Sequence, residues 1–149
     1  MSRKMEKQLQ RFQVVLVEPQ DSGNVGSVCR AMKTMGVESL CIVGRDRSYF
    51  DIPRVKTLSL HAWDVFERAR FCQSLPEALS DKVISAGITR RRGKFRKYFS
   101  LLPEQLAEHL EAQSSTGDVA LVFGRESSGL SDVELAHCNV AVSYTHLRA

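Results

Sequence analysis

The chain has 149 residues, of which 43% are hydrophobic and 26% are charged, and its formal net charge is +4. This length is sufficient for one domain with a buried core, and the composition excludes a disordered or collagen-like chain. No stretch approaches the roughly 18 consecutive apolar residues of a membrane-spanning helix. The polar, basic start "MSRKMEKQLQRFQ" lacks the apolar centre of a signal peptide. The excess of positive charge favours an anionic partner.

The four cysteines stand far apart, at Cys29, Cys41, Cys72 and Cys138, and none belongs to a CxxC pair. This spacing supports neither a zinc site nor a thioredoxin-type redox motif. Scattered cysteines are typical of buried thiols in proteins of a reducing compartment. We therefore expect a cytoplasmic protein that binds no metal and is not a membrane protein.

Apolar runs alternate along the chain with stretches of helical periodicity. Strands are predicted at 13–18, 39–44, 82–87, 118–124 and 139–142. Helices are predicted at 24–35, 61–69, 74–81, 102–113 and 131–138. Ser74 is predicted to cap one helix, and Ser131 with Glu134 forms the pattern of a capping box for another. Strands that alternate with helices predict an α/β domain with a Rossmann-like, mainly parallel sheet that is covered on both faces.

The stretch "EPQDSGNVGSVCRAMKTMG" contains the first predicted helix. Its apolar positions form one stripe that we expect to face the sheet: Val25, Val28, Met32 and Met35. On the other side, Ser22, Gly26 and Arg30 follow at intervals of four. We expect these small residues to leave room for a ligand to approach the backbone and reach Arg30. The alternative is that the glycines only permit a tight turn from strand to helix.

The stretch "VFGRESSGLSDVEL" follows another predicted strand and precedes a capped helix. Glu126 lies in its loop, and we expect this loop to converge with the loop before Arg30, because both follow the carboxyl ends of strands. The alternative is that Glu126 pairs with Arg125 or with the N-terminus of the following helix. Neither stretch carries the GxGxxG of a dinucleotide site or the GxSxG of a hydrolase, so these classes are not predicted.

A dense basic run follows the predicted strand at 82–87. Its cations are Arg90, Arg91, Arg92, Lys94, Arg96 and Lys97, and the aromatic residues Phe95, Tyr98 and Phe99 stand among and after them. A solvated loop and a loop that contacts phosphates and stacks on bases are both consistent with this composition. Its position after the carboxyl end of a strand, where α/β sheets bind their ligands, favours contact with RNA.

Two stretches together resemble one known family. "NVGSVCRAMKTMG" is similar to the first motif of the SpoU-type (TrmH-like) RNA 2′-O-methyltransferases of the SPOUT superfamily, through Asn24, Gly26, Arg30 and Gly36. "ALVFGRESSGLSDVEL" is similar to the second motif, through Gly124, Glu126, Gly129 and Leu130. The resemblance covers residues 12–142. Within the family, the stretches are most similar to the branch of tRNA cytidine/uridine 2′-O-methyltransferases of the anticodon loop.

The resemblance implies a Rossmann-like fold with a C-terminal trefoil knot, and a homodimer with RNA across both subunits. The methyl donor would be S-adenosylmethionine, and the acceptor would be a ribose 2′-hydroxyl of tRNA. By similarity, Arg30 would act on that hydroxyl, and Asn24 and Glu126 would shape the site. The residues that would contact the donor are Gly87, Ile88, Thr89 and Gly124. Arg30 would either remove the hydroxyl proton or, since a guanidinium is a poor base, stabilise the developing alkoxide or hold the adjacent phosphate.

The end of the chain departs from the family pattern. Tyr144 stands where a small aliphatic residue is expected, and nothing in "SYTHLRA" resembles the third motif, which is built on Ser-Leu-Asn. We therefore expect a single domain over 1–149 that is truncated at its C-terminal end, with 143–149 outside the family pattern and the knot-forming segment absent or incomplete. The competing function is an RNA-binding module without catalysis, and binding of the methyl donor distinguishes the two.

Overall fold

The computed structural model describes residues 10–89, 100–101, 112 and 117–143. Its strands are β1 (Phe12–Val17), β2 (Ser39–Val43), β3 (Arg70–Cys72), β4 (Ile84–Thr89), β5 (Ser100–Leu101), β6 (Val119–Phe123) and β7 (Val140–Ser143). Its helices are α1 (Ser22–Met35), α2 (Ile52–Ser59), α3 (Trp63–Glu67), α4 (Leu75–Leu79) and α5 (Asp132–Ala136), and the 3₁₀ turns are Arg47–Tyr49 and Leu60–Ala62. Among the described helices, none is long and apolar enough to cross a membrane.

The described strands form one sheet in the order β3-β2-β1-β6-β4-β7-β5, and neighbouring strands are parallel. The predicted α/β class with a parallel sheet is therefore confirmed. From β1 the chain moves outward through β2 and β3, whereas β4, β6 and β7 lie on the other side of β1. The order thus reverses between β1 and β6, and ligands of open parallel sheets bind at the carboxyl ends of strands beside such a reversal.

Helices cover both faces of the sheet, each face with its own apolar layer. Leu16, Ile42 and Phe66 belong to the layer that α1, α2 and α3 cover. Val15 and Leu135 belong to the layer on the opposite face, which α4 and α5 cover. Adjacent residues of β1 therefore contribute to opposite layers, which is the burial expected of a central strand in a parallel sheet.

Both predicted serine caps are present. The Ser74 Oγ accepts a hydrogen bond from the Glu77 N–H at 3.3 Å. The Ser131 Oγ accepts one from the Glu134 N–H at 3.1 Å, and the Glu134 carboxylate accepts one in return from the Ser131 N–H at 2.8 Å. The capping box satisfies two N–H groups that have no partner inside the helix.

The predicted apolar stripe of α1 faces the core only in part. Val25 and Met32 are buried and Val28 is half-buried, but Met35 is 62% exposed. Cys29, which the stripe does not include, is completely buried. The buried face of α1 is turned away from Met35 because α2 packs along the side of the helix that carries the glycines.

Gly26 shows why the small residues of α1 are small. A β-carbon on Gly26 would lie 2.6 Å from the carbonyl oxygen of Val55 and 2.9 Å from the β-carbon of Leu58, both in α2. The expectation that this side leaves room for a ligand is therefore wrong, because the backbone of α2 occupies the space. The alternative of a tight turn does not explain Gly26 either, since it lies within the helix and has no positive φ.

Three of the described α-helices and strands do not appear among the predicted ones: α2, β3 and β5. The start of α2 carries a recognisable signal, because Asp51 caps the helix through the Arg54 N–H and Pro53 stands in the first turn. The strands β3 and β5 have three and two residues. They are too short for the alternation that identifies a strand.

The predicted strand at 82–87 is displaced by two residues, since β4 runs over Ile84–Thr89. Ile88 and Thr89 therefore lie within the strand rather than after it, and Gly87 lies within it as predicted. Three predictions fall outside the described residues: the basic run at 90–97, the tail at 144–149, and the helix at 102–113 except for residue 112.

Candidate active site

Two loops meet at the carboxyl edge of the sheet, one after β1 and one after β6. The Glu126 carboxylate accepts hydrogen bonds from the backbone N–H groups of Gln20 and Asp21, each at 2.8 Å. Asp21 is in turn the N-cap of α1, because its side chain accepts the Asn24 N–H at 3.0 Å. The predicted convergence of the two loops is confirmed. Among the described residues, Glu126 pairs neither with Arg125 nor with the N-terminus of α5 and binds the loop before α1 instead.

Gln20 joins the same two loops a second time. Its side-chain oxygen accepts hydrogen bonds from the Ser127 N–H at 3.2 Å and from the Ser127 Oγ at 2.9 Å. No motif or periodicity in the sequence singles out Gln20. Its signal is weak, because a glutamine between a proline and a helix cap is equally consistent with a solvated turn.

Arg125 is the centre of an ion-pair group beneath these contacts. It is half-buried, and its guanidinium lies 2.8 Å from a carboxylate oxygen of Glu18 and 2.8 Å from one of Glu134. The hydrogen bond from Arg125 is the largest cause that lowers the pKa of Glu134, and the same contact raises the pKa of Arg125. The group links the end of β1 to the capping box of α5. Arg125 therefore fixes one loop relative to the other.

The loop after β6 folds back on itself, and glycine is required at its start. Arg125 and Gly129 form an antiparallel bridge with hydrogen bonds of 3.2 and 2.8 Å. A β-carbon on Gly124 would lie 2.1 Å from the carbonyl carbon of Gly129 and 2.2 Å from the nitrogen of Leu130. Only glycine fits there, and the resulting turn presents Glu126 to the loop before α1.

Glu18, at the end of β1, has a strained backbone. Its φ is +45°, in the left-handed region that favours glycine. Its N–H donates to the Val43 carbonyl at 2.8 Å, and its side chain is held by Arg125. Strain of this kind costs on the order of 1–3 kcal/mol and persists only where several contacts determine the conformation. The strain coincides with the predicted site.

Asn24 and Arg30 are exposed on α1. Within the described part of the chain, neither the Asn24 side chain nor the Arg30 guanidinium has a hydrogen bond or an ion pair. The structure therefore brings Glu126 to the start of α1 but places no contact between Glu126 and Arg30. An exposed guanidinium that no described carboxylate neutralises is available to an anionic ligand.

The four residues predicted to contact a methyl donor lie on two adjacent strands or directly after them. Ile88 of β4 is the partner of Phe123 of β6, so Thr89 and Gly124 stand next to each other at the carboxyl edge. Gly87 faces α5, where a β-carbon would lie 2.7 Å from a methyl group of Leu135. The absence of a side chain at Gly87 thus has a packing cause. Thr89 and Gly124 are at the position where parallel sheets bind ligands.

The cysteines are largely enclosed by the fold, and the Sγ atoms of Cys41 and Cys72 lie 3.5 Å apart. Cys29, Cys41 and Cys72 are buried, as predicted, whereas Cys138 is only half-buried. Burial raises the pKa of Cys29, Cys41 and Cys138 to about 12, so these thiols stay protonated and unreactive at neutral pH. The part of the chain that the structure describes contains no group of three or more His, Cys, Asp or Glu that could hold a metal ion.

Comparison with known proteins agrees with the fold and the two motifs. The SpoU rRNA Methylase family matches residues 11–145, and the chain belongs to this family.

Two of the curated relatives carry the name TrmJ. The chain is 36% identical over 133 residues to "tRNA (cytidine-2'-O-)-methyltransferase TrmJ" of Methanocaldococcus jannaschii, covering 87% of the chain and 56% of that protein. It is 37% identical over 141 residues to "tRNA (cytidine/uridine-2'-O-)-methyltransferase TrmJ" of Salmonella typhimurium, covering 91% and 54%. A solved structure of a probable methylase family protein from Haemophilus influenzae superimposes with a TM-score of 0.82 at 36% identity, covering 90% of the chain and 55% of that protein. The chain spans about half the length of the curated relatives that it matches.

Proposed function

We propose that this chain forms part of a tRNA 2′-O-methyltransferase, which transfers a methyl group from S-adenosylmethionine to a ribose 2′-hydroxyl in the anticodon loop. We also propose that the enzyme acts in the cytoplasm and that it forms a homodimer. The proposed activity is supported by membership of the SpoU family and by the two relatives, which are named as tRNA 2′-O-methyltransferases. The runner-up is an RNA-binding module without catalysis, and no described feature favours it over the enzyme.

The main structural support for the proposal is that Glu126 joins the loops that contain the two motifs. Its carboxylate accepts the N–H groups of Gln20 and Asp21 at the point where the strand order reverses. This bridge gives the start of α1 a fixed position relative to Gly124 and Thr89. A methyl transfer needs such positioning, because the donor and the acceptor must meet in line.

The acceptor side of the reaction is assigned to α1. S-adenosylmethionine supplies a methyl group on a positively charged sulfur, so the acceptor oxygen needs alignment and a place for its proton. Arg30 is exposed on α1 and unpaired among the described residues, so its guanidinium can hold the phosphate beside the target ribose or stabilise the developing alkoxide. A water molecule then takes the proton, since a guanidinium is a poor base. Asn24 lies at the start of the same helix and orients the ribose.

The donor side is assigned to the ends of β4 and β6. Thr89 and Gly124 are adjacent there, and Ser143 of β7 lies beside Thr89. Backbone groups at these strand ends fit a polar ligand such as the donor's carboxylate, amino and ribose groups. Ile88 continues β4 towards this edge, and Gly87 acts indirectly by letting α5 pack closely. We assign the cations of the basic run, Arg90, Arg91, Arg92, Lys94, Arg96 and Lys97, to tRNA phosphates.

The experiment combines donor binding with analysis of the product. The chain is titrated with S-adenosylmethionine by calorimetry, and a longer protein in which the third motif follows it is incubated with labelled donor and bulk tRNA. A 2′-O-methyl group protects the adjacent phosphodiester from alkali, so the proposal expects label in alkali-resistant dinucleotides. Label in the bases would contradict the acceptor assignment. Binding of tRNA without any binding of the donor would support the RNA-binding module instead.

A further inference from the structure

An exposed aromatic ring lies at the carboxyl edge of β2, next to the candidate site. Tyr49 belongs to the segment between β2 and α2 and is 47% exposed. Its hydroxyl donates to the Gln20 carbonyl at 3.4 Å, and Gln20 is the residue that Glu126 and Ser127 hold. The ring is therefore attached to the same loop that precedes α1.

The ring is held from several sides although much of it is in solvent. It packs against Phe50 at 5.2 Å between centroids with an interplanar angle of 86°. Phe50 is 5% exposed and packs edge-on against Phe66, at 5.8 Å, in the core. An exposed aromatic ring fixed in this way offers contact area without losing much conformational entropy when a ligand binds.

A cation, Arg45, lies over the Tyr49 ring. The Arg45 guanidinium lies 4.2 Å from the centre of the Tyr49 ring, and its Nε donates to the Pro19 carbonyl at 3.3 Å. Arg45 is half-buried. Among the described residues, no carboxylate lies within 4.0 Å of it, and its terminal nitrogens donate no hydrogen bond. The terminal N–H groups of such a guanidinium can donate charge-assisted hydrogen bonds to a phosphate oxygen.

We propose that Tyr49 and Arg45 form a contact site for one unpaired RNA nucleotide, whose base stacks on the Tyr49 ring and whose phosphate is held by the Arg45 guanidinium. Single-stranded RNA is recognised through stacking on aromatic rings combined with cations along the backbone. The site deepens the proposed function and rests on it for the identity of the ligand as RNA. It lies beside the Gln20 loop, so the nucleotide it holds is a neighbour of the nucleotide presented to α1.

Arg47, in the same segment, is not part of this site. Its guanidinium lies 5.0 Å from the centre of the Phe66 ring and donates to the Glu67 carbonyl at 3.0 Å. Because its contacts lie within the protein, it holds the segment against α3. Arg45 and Tyr49 differ from Arg47, because the Tyr49 ring is 47% exposed and the terminal nitrogens of Arg45 donate no hydrogen bond to a described residue.

The test measures the affinity of the chain for a stem-loop RNA with an unpaired loop, with a fully paired duplex of equal length as a second ligand. Tyr49→Ala should weaken binding of the stem-loop about tenfold, as expected for the loss of one stacked base, and should change duplex binding little. Tyr49→Phe keeps the ring and loses the hydroxyl, so it should bind like the unmodified chain. Arg45→Gln should weaken binding and reduce the salt slope by about one phosphate. Val133→Ala, at a residue that is 70% exposed on α5, is the matched control.

A second readout locates the contact directly. The same stem-loop with 4-thiouridine in its loop is photocrosslinked to the chain, and mass spectrometry should find the adduct at Tyr49 or Arg45. Three results would overturn the inference. Tyr49→Ala could bind RNA as tightly as the unmodified chain, Tyr49→Phe could bind as weakly as Tyr49→Ala, or the chain could bind no RNA at all. Methyl transfer is measured separately. If Tyr49→Ala binds RNA normally and methyl transfer persists, the nucleotide site is rejected but the enzyme is not. If RNA binding depends on Tyr49 but the methyl donor does not bind, the enzyme is rejected but the nucleotide site is not.

Discussion

The carbonyl oxygen of Val55 lies 2.6 Å from the position that a β-carbon on Gly26 would occupy. The two helices α1 and α2 approach each other this closely only because Gly26 has no side chain. Gly26 is also a position of the first motif. Because α2 approaches so closely, packing alone explains why this position is glycine, without any ligand. A glycine in a helix otherwise costs about 1 kcal/mol relative to alanine, and the close approach of α2 offsets this cost.

Gly26→Ala should therefore destabilise the protein, by about 1–3 kcal/mol, because the new methyl group forces α2 outwards. The measurement is the free energy of unfolding in urea. Ser27→Ala, at an exposed neighbouring position of α1, is the control and should leave stability unchanged or slightly higher. If Gly26→Ala were as stable as the unmodified chain, the close contact with Val55 would be refuted.

Removing the Glu126 carboxylate should release the loop before α1. In Glu126→Ala the Gln20 and Asp21 N–H groups lose their acceptor. Each hydrogen bond contributes about 1 kcal/mol, so amide exchange at these two positions should become about five- to tenfold faster. Ser127→Ala removes only the hydrogen bond from the Ser127 hydroxyl to the Gln20 side chain and keeps the one from the Ser127 N–H, so it should leave these amides protected. Unchanged exchange in Glu126→Ala would show that the loops are held by other contacts.

The Glu134 carboxylate should make stability depend on pH. Arg125 lowers its pKa in the folded protein, so it contributes stability that is complete above the pKa of the unfolded chain, near 4.5, and is lost as the pH falls through the lower folded value. The unmodified chain should exceed Glu134→Gln in unfolding free energy at pH 7, and this difference should shrink below about pH 4.5. Urea denaturation from pH 7 to pH 3 measures it. A difference that does not change over this interval would contradict the ion pair.

The basic run at 90–97 should bind tRNA. Replacing Arg91, Lys94 and Arg96 with glutamine removes three cations, so affinity for tRNA should fall about tenfold or more at moderate salt and its salt dependence should become flatter. Replacement of Arg68, which is exposed beside Glu38 and Asp64, gives a control for a lost surface charge. Equal affinity and equal salt slope would identify the run as a solvated loop.

The sequence predicts the class of the fold and the edge at which the site lies, because periodicity and serine caps are local signals. It does not predict that α2 fills the side of Gly26, since the contact joins residues far apart in the chain. The apolar stripe is misplaced for the same reason: Met35 is exposed and Cys29 is buried once α2 packs there. Gln20 and Arg125 are missed because a bridging role is visible only when both loops are present.

Methyl transfer by Arg30→Ala, made in a chain that also carries the third motif, tests most directly the claim that α1 carries the acceptor side of a 2′-O-methyltransferase site. Arg30 is exposed, so its loss should change stability by only about 0.5 kcal/mol. Donor binding should also remain, whereas transfer to tRNA from labelled S-adenosylmethionine should fall roughly 100-fold or more. The unmodified form and Arg68→Ala of the same longer chain are measured beside it. Transfer by Arg30→Ala at the rate of that unmodified form would contradict the claim.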